Sequence, residues 1–308
     1  MSSDNFTAVT ELVLAGLGIR KDFELILFFI ILLSYIVTLI SNLSIIIIPL
    51  FDASLHTPMY FFLYNLAVLD ICYSSSIVPK MLTDLISQKK VISFYGCILQ
   101  IHFFHFLGSS EVVLFAVMSY DRYVAIAHPL RYTTIMNYNV CFGLTLVSWA
   151  IGFFVALTHT IMTARLSYCG PNLVEHFFCD VKPMLILACT DVTLNSKTLS
   201  RVTGTLASST LSLTILSYLC ISKYLIKIKT AQGRKRALST CSGHFIVVTL
   251  MYGTAIFTYI RPSTKDSLDE DRAAAIMFTI ITPALNPIIY TLRNKDMKKA
   301  LKKFFQKI

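Results

Sequence analysis

A bundle of seven membrane-spanning α-helices is the fold class this sequence predicts, and three observations predict it. Hydrophobic residues make up 55% of the 308 residues and charged residues only 14%, where soluble domains carry about 25% charged residues. The apolar residues gather in long runs rather than in strand-length alternation. The excess of 27 Lys+Arg over 17 Asp+Glu, a net charge of +10, falls in alternate connections between those runs, the sidedness that a multi-pass topology requires.

Runs long enough to cross about 30 Å of hydrocarbon at about 1.5 Å per residue lie at 25–50, 58–86, 98–124, 140–162, 199–226, 237–260 and 273–292. They divide the chain into an extracellular tail at 1–22, a bundle at 23–293 with a long outer connection at 164–196, and a cytoplasmic amphipathic helix at 294–308. Placing the N-terminus outside puts Arg122, Arg131, Lys223, Lys227, Arg234, Lys235, Arg236 and the C-terminal lysines on the inner side. The charge is then a topology signal with affinity for anionic lipid, plus a docking face for a cytoplasmic partner. It is not a nucleic-acid footprint. The tail lacks the basic flank, apolar core and cleavage site of a signal peptide, so the first span is expected to direct insertion.

Taken in order, the tail offers Asn5-Phe6-Thr7, an N-glycosylation acceptor on an outside segment. The first span carries Asn42, whose amide needs partners in hydrocarbon. The second opens on Pro58, suited to a first helical turn, and contains Asp70. On the third, Phe104, Gly108, Glu111, Phe115, Met118 and Arg122 recur at steps of three and four and share one face. A carboxylate and a guanidinium on that face must look into the bundle, so this helix is central. Asp70 and Glu111 are the acids deep in the apolar spans. Side by side they require a cation or a shared proton.

Cys72, Cys141, Cys220 and Cys241 fall in or near the inner halves of spans and read as free core residues, whereas Cys97, Cys169, Cys179 and Cys189 fall outside, where three disulfide pairings are possible. His176 and Cys179 could ligate a soft metal only with a free thiolate. In the seventh span Pro287 removes a ladder hydrogen bond, and Asn286 beside it is expected to help satisfy the freed group. Beyond it, Met297, Leu301, Phe304, Phe305 and Ile308 form an apolar face opposed by lysines, a helix that lies on the inner membrane surface.

The stretch from Ser119 through Asp121-Arg122-Tyr123 to His128-Pro129-Leu130-Arg131-Tyr132 resembles the third-helix signature of vertebrate olfactory receptors, class II type, within the rhodopsin-like G-protein-coupled receptors. Further segments resemble the same family: Leu55-His56-Thr57-Pro58-Met59-Tyr60-Phe61-Phe62-Leu63, Pro79-Lys80-Met81-Leu82, His176-Phe177-Phe178-Cys179-Asp180, Lys235 to His244, and Leu285-Asn286-Pro287-Ile288-Ile289-Tyr290. Ser41 and Gly243 depart from it, standing where a Gly and a Ser are usual.

The resemblance implies an odorant receptor at the plasma membrane, taking a small, mostly apolar volatile molecule. It implies pairing of Cys97 with Cys179 and of Cys169 with Cys189, and a possible sodium ion between Asp70 and Glu111 helped by Asn42 or Asn286; a protonated pair without an ion stays open. The ligand pocket it implies includes Phe104, His105, Gly108, Ser109, Val202, Leu206, Tyr252, Ala255, Tyr259 and Thr279, with His105 and Tyr259 orienting the ligand. Asp121, Arg122, Tyr123, Tyr218, His244, Asn286, Pro287 and Tyr290 form the implied apparatus that activates a stimulatory, olfactory-type heterotrimeric G protein and raises cyclic AMP. In the resting state Arg122 is expected to pair with Asp121 and neighbouring polar groups.

No phosphate-cradling glycine loop, zinc spacing or catalytic constellation occurs, so an enzyme is not expected and no cofactor beyond the ion is implied. The seventh span has no Lys for a Schiff base, and Phe104 stands where amine receptors keep an Asp. Two other readings share the seven spans: a rhodopsin-like receptor for a non-odorant lipid or metabolite, and a transporter, which should show inverted repeats.

Overall fold

The computed structural model describes residues 9–169, 172–227, 230–260, 268–293 and 295–306, apart from the side chains of 235–237, 239–240, 255–260, 268–271, 291–293, 295–296 and 305. Asn5 lies outside the described residues. In chain order, strand β1 (Glu11–Leu14) precedes α1 (Lys21–Ile47), α2 (Pro58–Ile86), β2 (Val91–Ser93), α3 (Phe94–Ala127), the short α4 (Tyr132–Ile135) and α5 (Tyr138–Ala164). Then come β3 (Leu173–Val174), α6 (Val181–Leu187), α7 (Thr193–Lys227), α8 (Ala231–Ile260), α9 (Leu268–Ile276), α10 (Thr282–Arg293) and α11 (Lys295–Phe305).

Among the described residues six segments are long and apolar enough to cross a membrane: Lys21–Leu50, Pro58–Ile86, Phe94–Ala127, Tyr138–Ala164, Thr193–Lys227 and Arg272–Tyr290. The expected sixth span is α8, 30 residues long, part of whose side chains lie outside the described residues. The last span is two helices, α9 and α10, joined through a wide π-helical turn at Met277–Ile281. The chain is a multi-pass membrane protein.

Local chemistry places the helix ends. Ser93 caps α3 by accepting the Gly96 N–H at 3.1 Å, and Asn137 caps α5 by accepting that of Val140 at 3.1 Å. Pro58 occupies the start of α2, as its missing N–H allows. Within the bundle α3 is central: Ile101, Leu114 and Phe115 are completely buried, whereas α1 turns Leu33 and Ile40 outward at 64% and 62% exposure.

The upper end, where the 164–196 segment lies, carries a small sheet that the helical reading of the sequence lacks. β1 is its middle strand, antiparallel to β2 and parallel to β3. Leu12 and Leu14 are buried beneath it with Cys97, Val174 and Met184. Residues 11–14 of the N-terminal tail are therefore built into the upper face. Cys97 is bridged to Cys179 and Cys169 to Cys189, with Cα separations of 5.3 and 5.8 Å. Cys179 is thus closed to metal ligation as a thiolate. Of the free cysteines, Cys141 and Cys241 are buried as expected, while Cys72 is exposed and Cys220 half-buried.

At the lower end α11 buries Met297 and Ala300 while Lys298, Lys299, Lys302 and Lys303 stay exposed. Phe304 packs on Phe51 at 5.3 Å between ring centroids, and Lys303 pairs with Asp52 at 3.2 Å. These contacts tie the amphipathic helix to the turn that follows α1.

Candidate functional site: an upper cavity above a buried acid pair

Beneath the sheet lies a cavity of about 310 Å³, walled by α3, α7, α8 and the last span, with Tyr73 of α2. Phe104, His105, Gly108, Ser109, Leu206 and Tyr252 are among the residues that line it. Val202 and Thr279 are not among its walls: Thr279 is fully buried and returns its hydroxyl to the Ala275 carbonyl at 2.8 Å. The side chains of Ala255 and Tyr259 lie outside the described residues. The α7 wall is formed by Ser200, Thr203, Ala207, Ser208 and Leu211, and Met251 and Phe278 add apolar surface. A step of three from Leu206 finds Thr203 and a second finds Ser200, but Ala207, Ser208 and Leu211 stand one, two and five residues on, and the step of four leads to Val202, which is not a wall.

The bridged loop packs its aromatic rings on the cavity wall at Phe104. Phe178 of the bridged loop sits 4.9 Å from Phe104 and 4.7 Å from His176, ring centre to ring centre. Gln100 holds it from below, accepting the Cys179 N–H at 2.9 Å while donating to the Ser76 carbonyl at 3.1 Å. Arg272 of α9 meets Glu175 at 3.5 Å. His105 Nε2 and Asp180 Oδ1 are 3.0 Å apart, so the imidazole expected to orient a ligand is already committed to the loop. Burial pushes the Asp180 carboxyl up, but the His105 hydrogen bond and charge, the Val181 N–H and His176 together hold it below the usual carboxylate range.

Burial above all, with the nearby Arg272 charge, holds the His176 imidazole down at about 4 against the raising effect of the Asp180 carboxylate. Such a histidine is neutral in the folded loop, while an unfolded one titrates near 6.5. Its contribution is therefore complete above about pH 6.5 and is lost as pH falls towards about 4, some 3 kcal/mol in all. Protection factors of the amides in residues 173–187, taken relative to the intrinsic exchange rate at each pH, should fall across that window. The His176→Phe variant should flatten the upper part of the profile and leave only the Asp180 contribution at lower pH.

At the cavity floor Glu111 is both a wall residue and a member of a buried polar core. Asn286 Nδ2 donates to Asp70 Oδ1 at 2.9 Å and to Glu111 Oε1 at 3.2 Å. One amide thus bridges two acids, and Asp70 Oδ2, Asn286 Oδ1 and Asn42 Oδ1 are buried without a hydrogen-bond partner. Asn286 is accordingly not the group that repairs the helix at Pro287. A proline at 287 frees the carbonyl four residues back, that of Pro283, and Asn42 of α1 donates to it at 3.2 Å.

Below the acids, Arg122 is 6% exposed at the lower mouth. Its expected pairing with Asp121 is not found among the described residues: Asp121 Oδ1 instead accepts the Tyr132 hydroxyl at 2.7 Å. Tyr132 reaches back from α4, a contact that the sequence spacing did not reveal. Across the mouth the Tyr218 hydroxyl meets His244 Nδ1 at 2.8 Å, and Arg122 lies within electrostatic reach of Asp121, Tyr218, His244 and Tyr290. Tyr123 points elsewhere, its ring 6.1 Å from His128 and 6.2 Å from Tyr224.

The family model described as "Olfactory receptor" matches residues 31–307. Human olfactory receptor 12D1 is 52% identical over 297 residues, covering 96% of this chain and 93% of its own. Human olfactory receptor 12D3 is 50% identical, with 98% and 96% covered, and mouse olfactory receptor 5G9 is 44% identical, also with 98% and 96% covered.

Proposed function

The chain belongs to the olfactory receptor family and is an odorant receptor, and on that premise we propose that the upper cavity holds the odorant and passes its occupancy to a G protein at the lower mouth. The upper face is then extracellular and the lower face cytoplasmic in the plasma membrane, with Asn5 glycosylated and the basic lower face against anionic lipid. The observation that carries the reading is a cavity of about 310 Å³ whose floor is Glu111, the top of the polar column that leads to Arg122.

The ligand is a small, mostly apolar volatile: its hydrocarbon body packs on Phe104, Leu206, Leu211, Met251 and Phe278, and its polar end meets Ser109, Thr203 or Glu111. It activates only by its differential affinity for the active packing. In that packing the lower end of α8 moves outward, breaking the Tyr218–His244 contact. Arg122, Tyr218 and Tyr290 then receive the C-terminal helix of a stimulatory, olfactory-type α subunit, and cyclic AMP rises. A cyclic AMP reporter in transfected cells, screened against an odorant panel, tests this. A Cβ at Gly108 would meet the Tyr73 ring at 3.5 Å, ordinary contact, so Gly108→Ala should respond normally. Gly108→Leu should respond at least about tenfold less sensitively, as loss of about 1.4 kcal/mol of binding requires, with unchanged surface abundance. An undiminished Leu variant would remove the cavity from the mechanism.

Asp70 and Glu111 suit a sodium ion. Their donors are hard oxygens, which prefer hard cations, and the orphaned Asp70 Oδ2, Asn42 Oδ1 and Asn286 Oδ1 are the kind of atoms such an ion satisfies. A bound ion would supply positive charge to offset the two acids; the chain's part is to hold the acids together through the Asn286 amide. Replacing sodium by choline should lower thermal stability by about 1 to 2 kcal/mol, the linkage expected when the ion is about ten times its dissociation constant. Glu111→Gln and Asp70→Asn should abolish that sodium dependence. Identical melting in both salts would leave a shared proton as the occupant.

A further inference from the structure

We propose that the groove between α7 and α8 on the lipid-facing surface binds an acyl chain of an anionic phospholipid of the cytoplasmic leaflet, with the phosphate held at Lys223 and Lys227. A second hollow, about 420 Å³, runs there from Leu211 to Leu219 on α7 and from Phe245 to Gly253 on α8. It faces outward, since Ile215, Leu219 and Phe245 are 50%, 56% and 55% exposed. At Gly253 an added Cβ would meet nothing within 4 Å, so the missing side chain leaves open space.

The lining selects the occupant. Thr249 spends its hydroxyl on the Phe245 carbonyl at 2.8 Å, and Tyr218 faces His244 at 2.8 Å. What remains for an occupant is chiefly hydrocarbon surface, which rewards a chain in proportion to the area it covers. The groove spans nine residues on each helix, about 12 Å of axial rise. Lys223 follows Leu219 by one turn and Lys227 by two, about 6 and 12 Å further toward the lower face. Both are exposed, and among the described residues neither has a carboxylate partner. An acyl chain seated in the groove therefore ends where two exposed cations, Lys223 and Lys227, the latter 5.5 Å above the Tyr224 ring, meet the headgroup layer, and juxtamembrane lysines attract anionic headgroups by about 1 kcal/mol each. A neutral lipid would fill the groove but leave the lysines unused. The groove also touches Tyr218, so its occupant braces the two helices beside the Tyr218–His244 contact.

The test uses the full chain in nanodiscs containing phosphatidylserine or phosphatidylcholine that bears a diazirine midway along one acyl chain. After illumination, mass spectrometry locates the adducts. Residues 211–219 and 245–253 should be labelled several-fold more by the serine lipid than by the choline lipid. Gly253→Trp should abolish labelling at both segments, and Lys223→Glu with Lys227→Glu should bring the two lipids to parity while the groove stays labelled. The lysine variants lie on exposed positions and keep the test informative if Gly253→Trp does not fold. Equal labelling by both headgroups in the unaltered protein overturns the proposal, as does labelling that survives the Trp substitution. The groove shares Leu211 and Tyr252 with the upper cavity; labelling displaced by a saturating odorant mixture would make it an extension of that cavity and overturn the lipid assignment. Labelling does not depend on G-protein coupling, so its failure is distinct from failure of the receptor function.

Discussion

Gly152→Leu should leave almost no folded receptor, and Gly152→Ala only a fraction of the normal amount. A Cβ at residue 152 of α5 would stand 2.1 Å from Ser110 Oγ, 2.6 Å from the Phe106 carbonyl oxygen and 2.8 Å from the Ser110 backbone nitrogen of α3. Two of those three atoms are backbone. The helices would have to part, because no rotamer can withdraw a carbonyl. In a membrane this is costly: helix association there rests on close packing around small residues rather than on a hydrophobic gain. Overpacking a core with side-chain freedom costs about 1 to 3 kcal/mol, and a backbone clash on the central helix belongs at or above the top of that range. Gly143, on the same helix, would meet nothing within 4 Å, so Gly143→Leu is the matched control. Surface immunodetection and size-exclusion profiles of the detergent-solubilised protein should show loss for Gly152→Leu and normal amounts for Gly143→Leu. A monodisperse, abundant Gly152→Leu protein would mean that α3 and α5 do not meet as closely as described.

Gly152 also marks a limit of the sequence. Hydropathy locates the spans because each must satisfy its own backbone in lipid, a constraint that acts along the chain. It does not say which helix lies against which. The face carrying Phe104, Gly108, Glu111 and Arg122 was legible from spacing because charges must turn inward, and that single inference orders the cavity, the acid pair and the lower mouth on one helix. The need of Asn42 for partners was legible; that its amide would repair the carbonyl freed by Pro287, 241 residues from it by the bond to Pro283, was not. Strand β1 was invisible for another reason. Glu11-Leu12-Val13-Leu14 is four residues long and becomes a strand only because β2 and β3 come to it from distant parts of the chain. Tyr132 is the same lesson at short range: a turn brings its hydroxyl to Asp121 and displaces the expected partner, Arg122.

That displacement sharpens what Arg122→Ala should do. A guanidinium tied into a buried ion pair would, on deletion, strand its carboxylate and cost about 3 to 5 kcal/mol of stability; loss of signalling could then be misfolding. Here Asp121 is satisfied by Tyr132 at 2.7 Å, and among the described residues Arg122 makes no hydrogen bond or ion pair. Removing it should therefore change thermal stability by less than about 1 kcal/mol, in the range of ordinary substitutions without a buried partner. Odorant binding, measured as thermal protection of the purified protein, should persist, because the cavity wall ends at Glu111 and does not include Arg122. What should disappear is coupling: nucleotide exchange on the G protein should fall at least about a hundredfold, the loss expected when a charged group spanning an interface is deleted at about 3 kcal/mol. Arg122→Lys should recover only part of it, since an ammonium keeps the charge but not the planar fork that can meet two acceptors together. Tyr132→Phe supplies the converse. It frees Asp121 to compete for Arg122, so it should reduce coupling with Arg122 still in place, and the double variant should be no worse than Arg122→Ala alone. Coupling that survives Arg122→Ala intact, in protein still protected by odorant, would show the buried cation to be a packing residue and not the contact through which the lower mouth engages its partner.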